Sequence, residues 1–164
     1  MQNLSEKFVW PLLRILMGWY FLWPFIDKIF GLGFGTPAGK GWLDGVSPTY
    51  GFLAKGTKGP FAAYFQALAG NQFVEWLFMI GLLLIGLSLI LGIGMRIACF
   101  SGMAMMVLFY LAGSIWPLHN PFLDEHIVNG LLLLGLLGTN SNMRFGFGAA
   151  WTKTKLVKRY PILQ

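Results

Sequence analysis

The sequence predicts an all-α fold: a polytopic membrane bundle of four helices with a long outer loop that contains a short interfacial helix. Of the 164 residues, 56% are hydrophobic and 11% are charged, whereas soluble domains carry about 25% charged residues. The mean hydropathy of +0.64 is correspondingly high. Several apolar runs also reach the roughly 20 residues that a helix needs to cross a bilayer core. We therefore expect lipid to be the main solvent and the cell membrane to be the location of the protein.

Three long apolar segments are predicted to span the membrane, at residues 8–29, 73–93 and 97–117. Each is about 20 residues long, which is the length that a membrane-crossing helix requires. The first contains several charged residues, including Arg14, the second contains only Glu75, and the third contains none. The first run is too long for a signal peptide and no cleavage motif of small residues follows it, so we expect it to be retained.

A fourth span is predicted at residues 122–139, although only residues 127–137 form a continuous apolar run. Counting it places the N-terminus, the turn at Arg96 and a basic tail at residues 144–164 on one side of the membrane. That side then carries seven basic residues against one acid: Lys7, Arg96, Arg144, Lys153, Lys155, Lys158 and Arg159 against Glu6. Segments rich in Lys and Arg stay in the cytoplasm, so four spans with both termini cytoplasmic are predicted.

The outer loop between the first two spans covers residues 31–72. Its first half is rich in Gly and Pro, which predicts irregular backbone. In its second half, residues 60–69 carry apolar side chains at the i, i+3, i+4 and i+7 positions of a helix: Phe61, Tyr64, Phe65 and Leu68. Proline suits the first turn of a helix, so this segment predicts a short helix that begins at Pro60 and either lies on the membrane surface or dips into the bundle.

Glycines are frequent in the predicted spans. They include Gly81, Gly86, Gly92, Gly102, Gly113, Gly130, Gly135 and Gly138. Lipid supplies no hydrophobic drive between helices, so small residues in these positions favour close contact between helix backbones.

The predicted threading brings most ionisable groups to the outer ends of the spans: Asp27, Lys28, Glu75, His119, Asp124, Glu125 and His126. Charged groups at membrane depth normally pair or face a cavity. Two interpretations stay open. These residues cap helix ends, where acids suit the dipole of an N-terminus, or they line a pocket under the aromatic outer loop. For the pocket, the candidate catalytic residues are Glu75, Asp124, Glu125 and His126, and the candidate cofactor-binding residues are Asp27, Lys28, Trp42 and His119.

Arg14 is a charged residue well inside the first predicted span, roughly 9 Å from its start at 1.5 Å per residue. Two explanations stay open for it. The side chain can extend toward the membrane surface, or it pairs with a carboxylate of a cofactor or of a partner subunit. In the second case Arg14 belongs with the cofactor-binding residues.

Several function classes are disfavoured by single features. Cys99 is the only cysteine, and thiol–disulfide exchange within one chain needs two thiols. His119 and His126 form only a loose pair, broken in register by Pro121, so no metal site is predicted even though a carboxylate could join them. The basic excess lies in the tail rather than on a face where basic and aromatic residues alternate, so no nucleic-acid partner is predicted.

Several motifs occur together along residues 8–139. They are Leu13-Arg14 with Gly18, Asp27-Lys28, the glycine-spaced run from Gly81 to Gly92 followed by Arg96, Gly41-Trp42-Leu43, Gly59-Pro60-Phe61 and Asp124-Glu125-His126-Ile127. In this combination the chain resembles the DoxX/DoxD family of four-helix membrane proteins. It departs from that pattern at Phe25, beside Pro24, where a glycine is expected shortly before Lys28.

The resemblance implies a function in membrane redox chemistry. Members of this family are similar to small subunits of an archaeal thiosulfate:quinone oxidoreductase, which passes electrons from thiosulfate to membrane quinone. We therefore expect an integral subunit of a redox complex, with quinone as cofactor and with a partner protein subunit or a second copy of the chain. The alternative is a non-catalytic scaffold or assembly factor for a partner membrane protein, because similarity at this level transfers fold better than function.

Overall fold

The computed structural model describes residues 4–115, 117, 120–139, 141 and 144–164. The helices are α1 (Trp10–Phe30), α2 (Ala62–Gln66), α3 (Gln72–Leu91), α4 (Met95–Phe109), α5 (Glu125–Leu137), α6 (Gly148–Trp151) and α7 (Lys155–Arg159). Shorter helical turns precede α1 (Ser5–Val9), continue α4 (Tyr110–Ser114), interrupt the outer loop (Trp42–Asp44 and Phe52–Gly56) and close the chain (Pro161–Leu163). The all-helical prediction is confirmed, because 69% of the structure is helical and none of the described segments is a strand.

Three helical stretches within the described residues are long and apolar enough to cross a membrane: Glu6–Phe30, Gln72–Leu91 and Met95–Gly113. They agree with the first three predicted spans to within a few residues, which supports a membrane location. Helix α5 is shorter. Its 13 residues extend about 20 Å at 1.5 Å per residue, against a hydrocarbon core of about 30 Å. The predicted fourth span at residues 122–139 is therefore not established, since the helix begins only at Glu125.

Helices α1 and α3 run antiparallel and touch through two glycines. A Cβ atom built on Gly18 would lie 2.8 Å from the backbone nitrogen of Ile90 and 2.9 Å from the carbonyl oxygen of Gly86. A Cβ atom built on Gly86 would lie 2.8 Å from the backbone nitrogen of Leu22. The two helix backbones are thus in direct contact, as small residues permit in membrane proteins.

The main core lies where α1, α3, α4 and α5 meet. Phe21, Ile85 and Leu133 are buried there. All three approach Gly102 of α4, where an added Cβ atom would lie 2.9 Å from Cδ1 of Leu133. Helix α5 runs antiparallel to α4, so its start lies beside the end of α4. This packing brings the start of α5 to the same end of the molecule as the start of α3.

The packed helices have two different ends. At the terminal end, the start of α1, the turn between α3 and α4, and residues 144–164 come together. There the rings of Phe8 and Phe145 lie 6.4 Å apart, and the backbone nitrogen of Arg96 donates to the carbonyl oxygen of Gln164 at 3.0 Å. At the loop end, the outer loop packs on the end of α1, the start of α3 and the end of α4 with the turn that continues it.

The outer loop packs on the loop end through a small apolar cluster of its own. The buried members of this cluster are Leu53, Phe65 and Ala112. Helix α2 covers only Ala62–Gln66, which is shorter than the helix predicted at residues 60–69. The glycines on either side, Gly59 and Gly70, have φ angles of 80° and 81°. Such angles are left-handed and end a helix.

Candidate functional site

Asp124 and His126 form a hydrogen-bonded acid–imidazole pair at the loop end. The Nδ1 atom of His126 lies 2.6 Å from Oδ2 of Asp124. The other carboxylate oxygen, Oδ1, accepts from the backbone nitrogens of His126 at 3.0 Å and Ile127 at 3.2 Å. Aspartate is a preferred N-cap residue, and its charge suits the dipole at this end of α5. One carboxylate therefore both begins the helix and orients the imidazole.

The imidazole of His126 is also held by an aromatic ring of α4. The ring centroids of His126 and Phe109 lie 5.6 Å apart, and the side chains of His126 and Asp124 are 18% and 14% exposed. Glu125 is exposed. The pair is thus a partly shielded, oriented imidazole, an arrangement suited to proton exchange.

Asp27 is buried at the last turn of α1 and binds the backbone that follows. Its Oδ2 accepts from the backbone nitrogens of Gly35 at 3.0 Å and Thr36 at 2.7 Å, and its Oδ1 accepts from Phe34 at 3.3 Å. Gly31 begins this loop with a φ angle of 59°, which lets the chain turn back over the helix end. Amide donors of its own loop therefore satisfy the carboxylate, and a cofactor contact at Asp27 stays a prediction.

Replacing Asp27 with Ala is expected to loosen residues 31–36 without unfolding the helices. The amides of residues 34–36 lose their acceptor, so their hydrogen exchange is expected to rise about tenfold, because one buried hydrogen bond is worth about 1 kcal/mol or more. Hydrogen–deuterium exchange measured by mass spectrometry tests this. Asp44→Ala is the matched control, since Asp44 accepts from the backbone nitrogen of Gly41 outside this segment. Unchanged exchange at residues 34–36 in Asp27→Ala would contradict the assigned role.

Glu75 is buried in the first turn of α3 and is held by the outer loop. Its Oε1 accepts a hydrogen bond from the hydroxyl of Ser47, and Ser47 Oγ accepts from the backbone nitrogen of Tyr50 at 3.1 Å. Asn71 is the residue that caps the helix, by accepting from the next two free backbone nitrogens. Thr49 has a buried hydroxyl oxygen with no hydrogen-bond partner among the described residues. Glu75 therefore joins α3 to the loop, and a catalytic role for it stays a prediction.

An apolar groove lies between α1 and α3 at the loop end. It encloses about 410 Å³, and its walls are Phe25, Ile29, Trp42, Leu43, Trp76, Met79, Ile80 and Leu83. The rings of Trp42 and Trp76 meet edge to face, with centroids 4.6 Å apart. The volume lies within the range of small-molecule sites, about 300–1,000 Å³, but the walls carry almost no polar surface. The lining role predicted for Trp42 is compatible with this position, and its cofactor contact stays a prediction.

Arg14 is fully buried at the terminal end and donates four hydrogen bonds to backbone carbonyls. Its Nη1 donates to Leu89 at 2.5 Å and Ile90 at 3.1 Å, and its Nη2 donates to Arg144 at 2.9 Å and Phe145 at 2.8 Å. The carbonyls at the end of α3 lack partners within the helix and carry the negative end of its dipole. Arg14 therefore joins α1 to the end of α3 and to the C-terminal segment. A contact between Arg14 and a cofactor or a partner carboxylate stays a prediction.

The predicted acids lie at the loop end, but each is held by a different segment: the loop after α1, the middle of the outer loop, and the first turn of α5. Lys28 is half-buried near the end of α1. His119 lies outside the described residues. Among the residues that the structure does describe, no group of three or more His, Cys, Asp and Glu side chains is placed to hold a metal ion.

Comparison of the chain with family models, with characterised proteins and with solved structures finds no match. The resemblance to the DoxX/DoxD family therefore stays a prediction that rests on the motifs of the sequence. Any function proposed for the chain therefore rests on the geometry of the site together with these motifs.

Proposed function

We propose that this chain is an integral membrane subunit of a redox complex and that it exchanges protons with membrane quinone at His126. Electrons reach the quinone from a sulfur compound such as thiosulfate through a partner subunit, as the resemblance to DoxX/DoxD implies. The observation that carries the proposal is the 2.6 Å contact between Asp124 and His126. The sequence predicts Asp124, Glu125 and His126 as catalytic candidates, and this contact joins two of them.

The pair has the parts that proton exchange with a quinone requires. Histidine is the side chain that changes its charge most readily near neutral pH. Asp124 orients the ring through Nδ1, which leaves Nε2 to hydrogen-bond a quinone oxygen, much as a carboxylate orients the histidine ligands of metals. A quinone takes up protons together with electrons when it becomes a quinol. In this proposal His126 gives the proton on Nε2 to one quinone oxygen as the electrons arrive and takes up a new proton from water, and water supplies the second proton of the quinol. Phe109 shields one side of the imidazole.

We also propose that α5 crosses the membrane as the fourth span and that both termini face the cytoplasm. The antiparallel packing of α5 on α4 supports the crossing, with Leu133 seated against Gly102. A short helix can cross because the bilayer thins locally around it at a modest cost. The position of the basic residues at the terminal end supports the orientation. His126 then lies near the outer surface of the membrane.

Quinone binding by purified variants tests the proposal. The full-length protein is titrated with decylubiquinone in detergent micelles, and binding is followed by isothermal calorimetry. His126→Ala is expected to weaken binding about tenfold, which corresponds to the loss of one hydrogen bond of about 1.4 kcal/mol. Asp124→Asn keeps the helix cap, since Asn caps as well as Asp, but it removes the charge that orients the ring. We expect it to give a smaller loss of affinity.

Two further variants complete this experiment. Glu6→Gln removes an exposed carboxylate at the terminal end and is expected to bind as the wild type does. Glu75→Gln tests whether the acid held by Ser47 also contacts the quinone. Equal affinity in the wild type, His126→Ala and Glu75→Gln would contradict the proposed quinone site.

A non-catalytic scaffold is the second candidate function, and one surface of α1 favours it. Trp19 lies midway along the helix and is 49% exposed, on the same side as Leu16 and Leu12 at 55% and 57%. Tryptophan prefers the membrane surfaces to the middle of the bilayer, so this face suits contact with a helix of a partner membrane protein. A stable co-purifying partner, together with unchanged quinone affinity in the variants above, would decide for the scaffold.

A further inference from the structure

The C-terminal segment, residues 144–164, is a folded part of the terminal end rather than a loose tail. The backbone nitrogen of Phe147 donates to the carbonyl oxygen of Leu91 at 2.8 Å, and Arg14 binds the two carbonyls that begin the segment. The last residue accepts from the backbone of α4. Within the segment, Trp151 Nε1 donates to the carbonyl oxygen of Leu163 at 2.6 Å. Residues 144–164 are therefore held against the ends of helices that reach the membrane boundary.

The charged side chains on the surface of this segment are all positive. No Asp or Glu occurs in residues 127–164. The cationic side chains of α7 and of the turn before it are all exposed: Lys153, Lys155, Lys158 and Arg159. Val157 faces inward and is 4% exposed, so it anchors α7 while the cations on either side point outward. The result is a fixed cationic patch at the membrane boundary.

Apolar side chains are exposed on the same segment. They are Phe145, Phe147, Leu156, Tyr160 and Ile162, with exposed fractions between 48% and 65%. Aromatic rings are favoured at the headgroup level of a bilayer, and aliphatic side chains gain by entering its edge. A surface of cations and such apolar side chains complements a bilayer that has anionic headgroups over an apolar interior.

We propose that residues 144–164 form a binding surface for anionic phospholipid headgroups. Basic clusters beside a membrane span are attracted to anionic lipid, and here the fold holds the cluster in place. The headgroup phosphates contact the four exposed cations, and the apolar side chains enter the bilayer edge around them. This surface is independent of the quinone site, which lies at the opposite end of the helices.

Lipid selectivity of the full-length protein tests the proposal. Protein in nonionic detergent micelles is incubated with equal amounts of dioleoylphosphatidylglycerol and dioleoylphosphatidylcholine, and bound lipids are counted by native mass spectrometry. The wild type is expected to favour the anionic lipid by about tenfold or more, and added salt is expected to reduce this preference. The combined variant Lys153→Gln, Lys155→Gln, Lys158→Gln and Arg159→Gln is expected to bind the two lipids about equally.

A matched control changes three cations at the loop end. The variant Lys40→Gln, Lys55→Gln and Lys58→Gln removes exposed charges and is expected to keep the preference of the wild type. A wild type without preference, or a four-site variant that keeps it, would overturn the proposal. Displacement of the anionic lipid by an equimolar single-stranded oligonucleotide would also overturn it, because the cations would then serve a nucleic acid.

Discussion

Arg14→Met is expected to destabilise the protein by about 4 kcal/mol. The change leaves four carbonyl oxygens without their charged donor, and hydrogen bonds to charged groups are worth about 1.5–3 kcal/mol each before the structure relaxes. The guanidinium is fully buried, so the carbonyl of Leu89 loses its donor without access to water, whereas the carbonyls of Arg144 and Phe145 lie in a partly buried position. The free energy of unfolding, measured by titrating the purified protein in mild detergent with sodium dodecyl sulfate, tests the expectation.

Two control variants isolate the guanidinium of Arg14. Arg96→Met removes an exposed arginine at the same end and is expected to change the free energy of unfolding by less than about 0.5 kcal/mol. Arg14→Lys keeps the charge but presents a single ammonium, which lacks the planar fork of the guanidinium, so an intermediate loss is expected. Similar stabilities for Arg14→Met and Arg96→Met would show that the four hydrogen bonds do not hold the segments together.

Gly18→Ala is expected to cost about 2–3 kcal/mol, the upper part of the range of about 1–3 kcal/mol for overpacking in a closely packed interior. The added methyl group would lie 2.7 Å from Cγ1 and 2.8 Å from the backbone nitrogen of Ile90. A side chain can turn away from such a contact, but the backbone of α3 cannot, so the two helices must separate. The same sodium dodecyl sulfate titration measures the loss.

The matched control is a Gly-to-Ala substitution at a helix position where the added methyl group meets no close neighbour. At Gly130 of α5 the nearest atom to an added methyl group is Met106 Cβ, at 3.9 Å. Gly130→Ala is therefore expected to be neutral or to stabilise by up to about 1 kcal/mol, because Ala favours the helix over Gly. Equal effects at Gly18 and Gly130 would mean that the crossing of α1 and α3 tolerates extra volume.

The long helices could be predicted from the sequence because their signals are local. Residues 73–93 read as one apolar run, and the helix Gln72–Leu91 is bounded by two residues that favour helix ends, Asn71 and Gly92. The predicted fourth span includes Phe122 and Leu123, whereas the helix itself begins at Glu125, after its N-cap Asp124. Phe122 has a φ angle of 70°, a conformation that no continuous helix contains.

In the candidate site, too, contacts between residues close in the sequence could be predicted, and contacts between distant residues could not. Asp124 and His126 are two residues apart, so the cap that joins them follows from the order of residues at the start of α5. The partner of Glu75 is Ser47, 28 residues away, and the partners of Arg14 are 75–131 residues away. Those of Arg14 are also backbone carbonyls, which every residue type possesses. The composition and spacing of the sequence contain no signal for these distant partners, so they could be identified only from the packing of the helices in the structure.

The hydrogen bonds of Arg14 also set an order for biosynthesis. The carbonyl of Arg144 lies 130 residues after Arg14 in the chain, so at a translation rate of about 5–20 residues per second it emerges about 7–26 seconds later. During that interval the ribosome has delivered the first helix to the insertion machinery with part of its guanidinium unsatisfied. The hydrogen bonds from Arg14 to the carbonyls of Arg144 and Phe145 therefore form among the last events of assembly. If a nascent chain stalls before these hydrogen bonds form, its first helix stays only partly secured.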